Sequence, residues 1–252
     1  EESLKKYPEA KALIVVHLYG SSPKMDKIIE LCNKYSVVLI EDAAEALGAT
    51  YQGRNAGTFG DVSILSFNGN KIITGSGGGM LLCNDEEIAS KVKFWATQSR
   101  DDAPHYQHTE IGYNYRMSNV MAGVVRGQLK VLSNRIEKKK YIYEYYEKAF
   151  AHIDTINMMP IHEENQSNYW LSCVLLDGDL KPEALRLHLE KDNIESRPLW
   201  KPMHLQPIFK DYDYIGGTMC ELLFNRGLCL PSDTKMTDEE LQRVVSAVLE
   251  IA

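Results

Sequence analysis

The sequence predicts an α/β fold with a mostly parallel sheet, followed by a smaller α+β unit. Three observations predict it. "KALIVVHL" (residues 11–18) and "VVLIED" (37–42) are continuous apolar, β-branched runs, the mark of strands buried on both faces. Between them, "SPKMDKIIELCNKYS" carries apolar residues at helical spacing, so strand, helix and strand with short joints form a βαβ unit. After roughly residue 150 the pattern changes to "YWLSCVLLDG", a helix in "KPEALRLHLEKDN", and "IESRPLW".

Each element has its own local reason. In the first helix Ser22 is placed as an N-cap, with Pro23 in the first turn. "SILSF" and "GMLLCN" supply further strands, and "DEEIASKVKFWATQS" opens on acids as a helix start should. The turn-rich "RDDAPHYQHTEIGYNYRM" leads to a long helical stretch from about Ser118 to His152. In the last helix Thr237 and Glu240 have the spacing of a capping box. The expected domains are residues 1–150, with the long helix as bridge, and residues 151–252.

Composition excludes several classes. The net charge is −7, which gives no basic footprint for nucleic acid or an anionic membrane. The one dense basic run, "RIEKKKY", reads as a solvated helix face. No apolar run approaches the ~20 residues that cross a bilayer. The cysteines (Cys32, Cys83, Cys173, Cys220 and Cys229) are odd in number and lack metal-ligand spacing, which fits a reducing cytoplasm. His105, Tyr106 and His108 lack a third ligand, so no metal site is expected.

The chemistry gathers where an open α/β sheet places it, beyond the carboxyl ends of the strands. Asp42 ends "VVLIED", and Lys71 follows "SILSF" inside "SFNGNKIITGSGGG". An acid and an amine at one sheet edge form an ion pair or a reaction centre. An amine that attacks a carbonyl works best away from water and near fixed dipoles, which Asn68 and Asn70 could supply. Gly77, Gly78 and Gly79 would leave room for a flat ligand. A lysine, an acid and the Ser66 hydroxyl make the kit that pyridoxal phosphate asks for.

The segment "IEDAAEALGATYQGRNAGTFGDVSILSFNGNKIITGSGGGML" resembles the DegT group of pyridoxal-phosphate nucleotide-sugar aminotransferases, of the fold-type-I, aspartate-aminotransferase class. The resemblance extends through "GYNYRMSN" to "RPLWKPMH", nearly the whole chain, and is most similar to the subgroup that makes the 4-amino sugar precursor of N-acetylbacillosamine. It implies pyridoxal 5'-phosphate as cofactor. Lys71 would bond to its aldehyde and shuttle the proton, Asp42 would pair with the pyridine nitrogen, and Ser66 would bind phosphate. Glu45 stands where relatives often hold Gln or His near the ring hydroxyl. Asn114 would reach the cofactor phosphate of a neighbouring subunit, which implies a homodimer with shared active sites.

Arg197, Trp200 and His204 are the candidates for the sugar nucleotide, since Arg suits phosphate and Trp can wall off a sugar. "RPLW" could equally dock the small domain. The implied reaction moves an amino group from L-glutamate to a 4-keto-6-deoxy nucleotide sugar, UDP-2-acetamido-2,6-dideoxy-hexos-4-ulose by subgroup likeness, for surface polysaccharide or glycoprotein glycans. A sugar dehydratase of the same fold is the first alternative; its lysine is replaced by histidine, and this chain has Lys71. A non-catalytic regulatory protein is the second. Family chains begin well over a hundred residues earlier, so the sequence is expected to lack the segment that cradles phosphate and stacks on the ring.

Overall fold

The structure, a computed structural model, describes residues 1–252. Along the chain run α1 (Glu2–Lys6), β1 (Ala12–Val16), α2 (Met25–Tyr35), β2 (Val38–Asp42), β3 (Thr50–Tyr51), β4 (Arg54–Asn55), β5 (Val62–Ser66) and β6 (Gly79–Cys83). Then come α3 (Glu86–Ala96), α4 (Asn119–Leu129), α5 (Leu132–Phe150), β7 (Ile156–Met158), β8 (Asn165–Gln166) and β9 (Ser172–Leu176). The chain closes with α6 (Pro182–Lys191), β10 (Arg197–Pro198), α7 (Met219–Arg226), β11 (Gly227–Leu230) and α8 (Asp238–Leu249). No helix is long and apolar enough to cross a membrane.

Two compact units divide these elements. Glu1, Tyr7–Ile136 and Glu163–Asn168 form the first; Glu2–Lys6, Glu137–His162 and Tyr169–Ala252 form the second. The covalent course of α5 begins in the first unit and continues in the second.

In the first unit the sheet order is β1-β2-β5-β6. The first three strands are parallel, as the βαβ reading requires, and β6 returns antiparallel to β5. Side chains alternate across a pleated strand, so the register sorts them by face. Val16, Asp42 and Ile64 share one row, with Ile14, Ile40 and Val62 in the row before it. The opposite face carries Val15, Leu39, Glu41 and Leu65. Below it a core of Ala43, Leu65, Phe67 and Ile73 meets Val125 of α4.

The continuous apolar runs imply cover on both faces, but the face bearing Asp42 is open: Ile14 is 66% exposed and Val16 47%. Periodicity records how apolar a strand is, while cover depends on what lies over it.

Two helix readings change in detail. α2 starts at Met25 with Lys24 at its N-cap and no side-chain cap. Ser22 instead joins β8: its N–H donates to Asn165 Oδ1 at 3.1 Å, and Asn165 Nδ2 donates to its carbonyl at 3.0 Å. The long stretch from Ser118 divides into α4 and α5 at Lys130 and Val131, with Ser118 accepting from Met121 N as N-cap.

The second unit holds an antiparallel sheet in the order β10-β11-β9-β7. Its core joins Ile142 and Tyr146 of α5, Leu185 of α6, Leu228 of β11, and Leu241 and Val244 of α8. The capping box of Thr237 and Glu240 is present. One residue of the basic run is not solvated. Lys139 is buried, and its ammonium donates to the carbonyls of Trp170 (2.8 Å) and Ser232 (2.5 Å). It shares the buried face of α5 with Ile142, Tyr143, Tyr146 and Phe150, and carbonyl acceptors satisfy it there.

Candidate active site

Asp42 is the last residue of β2 and Ser66 the last of β5, on neighbouring parallel strands. Asp42 lies opposite Ile64, so Ser66 stands two residues further along the same face. This is the carboxyl edge of the sheet, where ligands of open α/β folds collect. Oδ1 of Asp42 accepts from Ala44 N at 3.1 Å, an Asx turn that ends the strand. Ala46 N then bonds to Ala43 O at 3.1 Å and brings Glu45 round toward the same edge.

Lys71 sits on the connection between β5 and β6. Phe67 N donates to Gly78 O and Gly75 N to Phe67 O, each at 2.9 Å, so the connection is pinched shut at its base. Within it Lys71 N donates to Asn68 O at 3.1 Å, and Asn68 N to Ser66 Oγ at 3.3 Å. Asn68 thus places the lysine through its backbone, while its side chain is exposed. Among the glycines after the lysine, Gly78 has a conformational reason of its own. Gly78 adopts φ +93°, and a Cβ there would meet Met117 Cε at 2.9 Å.

Lys71 Nζ and Glu45 Oε1 are 3.9 Å apart, each side chain 13% exposed. That separation exceeds a hydrogen bond, leaving an attraction between charges sheltered from water. The other oxygen of Glu45 accepts from Tyr19 N at 2.9 Å.

Behind this edge lies a buried pair that the sequence reading passed over. His17 Nε2 and Glu41 Oε2 are 2.7 Å apart, with both side chains 0% exposed. Glu41 also accepts backbone N–H groups from Gly57 at 2.8 Å and from Phe59 and Gly60 at 2.5 Å. Burial pushes its carboxyl upward, but the hydrogen bonds from His17, Gly60 and Gly57 outweigh this and hold it below its ordinary value. The signal was available: His17 and Glu41 are polar residues on one face of two adjacent apolar strands.

These residues fit pyridoxal phosphate by the chemistry of the donor set. An aldehyde needs the half-buried amine of Lys71, a pyridine nitrogen needs the carboxylate of Asp42, and a phosphate needs a hydroxyl such as that of Ser66.

Asn114 stands elsewhere in the first unit, exposed on the loop after α3 and bridged to Thr97. It lines a surface hollow with Gln98, His108 and Gly112. His108 Nδ1 lies 2.8 Å from the carbonyl of Gln98, so the ring fastens this loop. Gly112 lets the backbones meet: a Cβ there would lie 2.2 Å from Ser99 N.

The remaining candidates belong to the second unit. Arg197 Nε and Nη2 both donate to Glu195 Oε1, at 2.8 and 2.6 Å. Trp200, 38% exposed, tilts against buried Trp170 with ring centroids 6.3 Å apart. His204 stacks on Tyr214 at 3.8 Å, and its Nε2 lies 3.0 Å from Glu221.

The chain is 49% identical over 255 residues to EpsN of Bacillus subtilis (strain 168), whose name provisionally describes it as a pyridoxal phosphate-dependent aminotransferase. That match covers 100% of this chain and 66% of the relative. It is 34% identical over 245 residues to the GDP-perosamine synthase of Escherichia coli O157:H7, covering 96% of this chain and 66% of the relative. The crystal structure of the aminotransferase TlmJ from Streptoalloteichus hindustanus superposes with a TM-score of 0.87 at 27% identity, covering 94% of this chain and 64% of that one. The chain therefore spans about two thirds of the length of the proteins it matches. With the model of the DegT/DnrJ/EryC1/StrS aminotransferase family matching residues 5–249, the chain belongs to that family.

Proposed function

We propose that the chain carries the cofactor and substrate groups of a pyridoxal-phosphate-dependent aminotransferase acting on nucleotide sugars. The observation that carries the reading is the approach of Lys71 Nζ to Glu45, 3.9 Å, in the connection that follows Ser66 at the strand edge shared with Asp42. When bound, pyridoxal phosphate supplies an aldehyde for the amino group and a ring that takes up an electron pair. Lys71 would bond to the aldehyde and release it to the incoming amine. It would then move a proton between the glutamate α-carbon and the cofactor's methylene carbon in one half-reaction, and between that methylene carbon and C4 of the sugar in the other. Asp42 keeps the pyridine nitrogen protonated, Ser66 binds phosphate, and Glu45 orients the amine and the ring hydroxyl.

The acceptor in this reading is a 4-keto-6-deoxy nucleotide sugar. UDP-2-acetamido-2,6-dideoxy-hexos-4-ulose comes first, on the likeness of "SFNGNKII" and "RPLWKPMH" to that subgroup. Since one relative is a GDP-perosamine synthase, the GDP sugar is the comparison to run beside it. Arg197, Trp200 and His204 take the sugar nucleotide, with Arg197 exchanging Glu195 for phosphate. Asn114 acts across a homodimer. Ile111, Tyr115, Val120 and Val124 stand exposed along its loop and α4, an apolar surface of the kind a second copy covers. A cytoplasmic enzyme supplying glycan precursors fits these substrates. A dehydratase is disfavoured by Lys71, and a regulator needs neither Lys71 nor Asp42.

The test incubates the whole polypeptide with pyridoxal phosphate and L-glutamate and follows conversion of the bound aldehyde form to the amine form by absorbance. Adding UDP- or GDP-linked keto sugar should restore the aldehyde form, faster with the preferred nucleotide. A whole polypeptide that binds the cofactor without converting it defeats the reading.

A further inference from the structure

The turn after β1, His17–Gly20, is tightly determined backbone beside the site. Tyr19 is 5% exposed and adopts φ 53°, a left-handed conformation that a bulky residue holds only where its surroundings enforce it. The surroundings do so from both sides. Ser167 Oγ donates to Gly20 O at 2.9 Å, and Asn168 N donates to the same carbonyl at 3.1 Å. On the other side His17 N donates to Asp42 O at 3.0 Å, Tyr19 N donates to Glu45 Oε2 at 2.9 Å, and the His17 ring meets Glu41 at 2.7 Å.

These three bonds on the second side end on Asp42, Glu45 and Glu41. Glu41 gathers the most, taking backbone donors from the 57–60 loop as well. Its side chain is turned to the core face, while that of the next residue, Asp42, is turned to the ligand face. We propose that His17 and Glu41 are positioning residues: their buried pair locks the His17–Gly20 turn to the end of β2 and so sets where Asp42 and Glu45 stand relative to Lys71.

Stability alone gives the pair a poor reason to exist. A buried ion pair is often matched or bettered by apolar residues of similar volume, and the rest of this face is mainly Val15, Leu39 and Leu65. Apolar side chains, however, exert no directional hold on a turn. A carboxylate with four donors does.

The inference rests on the proposed cofactor chemistry, and its test separates the two. In the whole polypeptide, His17→Leu removes the donor, while His17→Gln keeps an N–H able to reach Glu41. The readouts are the dissociation constant for pyridoxal phosphate, the pH dependence of the bound cofactor's absorbance, and the rate with L-glutamate per folded molecule. His17→Leu should weaken cofactor binding about tenfold and slow conversion about 10–100-fold. It should also move the absorbance midpoint by about one pH unit, because Asp42 no longer holds its place beside the ring nitrogen. His17→Gln should restore most of each. If His17→Leu fails to fold, Glu41→Asp, which keeps the charge but shortens the reach, should show the same midpoint shift.

A variant with lowered melting temperature but wild-type midpoint and rate would overturn the inference and leave the function standing. Equal losses in the Leu and Gln variants would overturn it too. A wild-type protein that neither binds the cofactor nor reacts with glutamate would overturn the proposed function, and the inference with it.

Discussion

Glu45 holds two things at once: one carboxylate oxygen accepts the backbone N–H of Tyr19 at 2.9 Å, and the other stands 3.9 Å from Lys71 Nζ. The acid is thereby fixed to the scaffold while facing the amine. Lys71 is thereby oriented toward the edge that Glu45 occupies.

Replacing Lys71 with Ala should abolish covalent capture of pyridoxal phosphate and lower transamination by roughly a thousandfold or more. The fold should survive, since the connection is closed at Phe67 and Gly78 independently of the lysine side chain. Borohydride reduction and peptide mass analysis should attach the cofactor to Lys71 in the wild type and nowhere in the variant. Matching circular dichroism spectra would verify the fold.

Asp42→Asn should still bind the cofactor, because the amide oxygen can keep the bond from Ala44 N. It should lose about a hundredfold or more in the glutamate half-reaction, since a neutral amide does not hold the ring nitrogen protonated. Stopped-flow absorbance gives the rate; a near-normal value would remove Asp42 from that role.

Acid stability should report on Glu41. Its folded-state pKa lies below the ordinary 4.5, so its contribution is complete above that pH and is lost as pH falls through the lower folded value. Denaturant titrations between neutral pH and the acid range should show this loss in the wild type. Glu41→Gln should flatten that acid limb and cost about 3 kcal/mol at neutral pH, the expense of breaking a buried pair.

Gly112→Ala should lower stability by roughly 1–3 kcal/mol, because its Cβ would fall 2.2 Å from Ser99 N and the 98–112 loop must part. Thermal melting reads the loss. If Asn114 serves a neighbouring subunit, sedimentation should show a weakened dimer in the same variant.

Trp200→Ala should raise KM for the nucleotide sugar about tenfold while leaving the glutamate half-reaction unchanged, because the ring offers stacking area and no proton. Steady-state kinetics in both directions distinguishes this from general damage to the Trp170–Trp200 contact.

Much of the fold was legible because strands and helices announce themselves by period. The parallel course of β1 and β2 follows from two apolar runs around an amphipathic helix, while "SILSF" reads only as a further strand. The site was legible where chemistry interrupts those runs, at Asp42, Ser66 and Lys71. His17 and Glu41 escaped notice because a single polar residue in an apolar run resembles a strand end; Glu41 lies opposite Val15, and only the folded side chains show the His17 ring reaching it just beyond the end of β1. Gly77, Gly78 and Gly79 suggested ligand access because glycine marks any close approach, and only coordinates show that Met117 lies against Gly78. Lys139 misled for the opposite reason, since a lysine among lysines looks solvated until its carbonyl partners are seen.

The closed base of the Phe67–Gly78 connection has a chemical consequence. Because the bonds from Phe67 N to Gly78 O and from Gly75 N to Phe67 O close the connection without the side chain at position 71, that side chain is not what holds the strand ends together. Exchanging its amine for another nitrogen base would change the reaction available at this edge while leaving β5 and β6 in register.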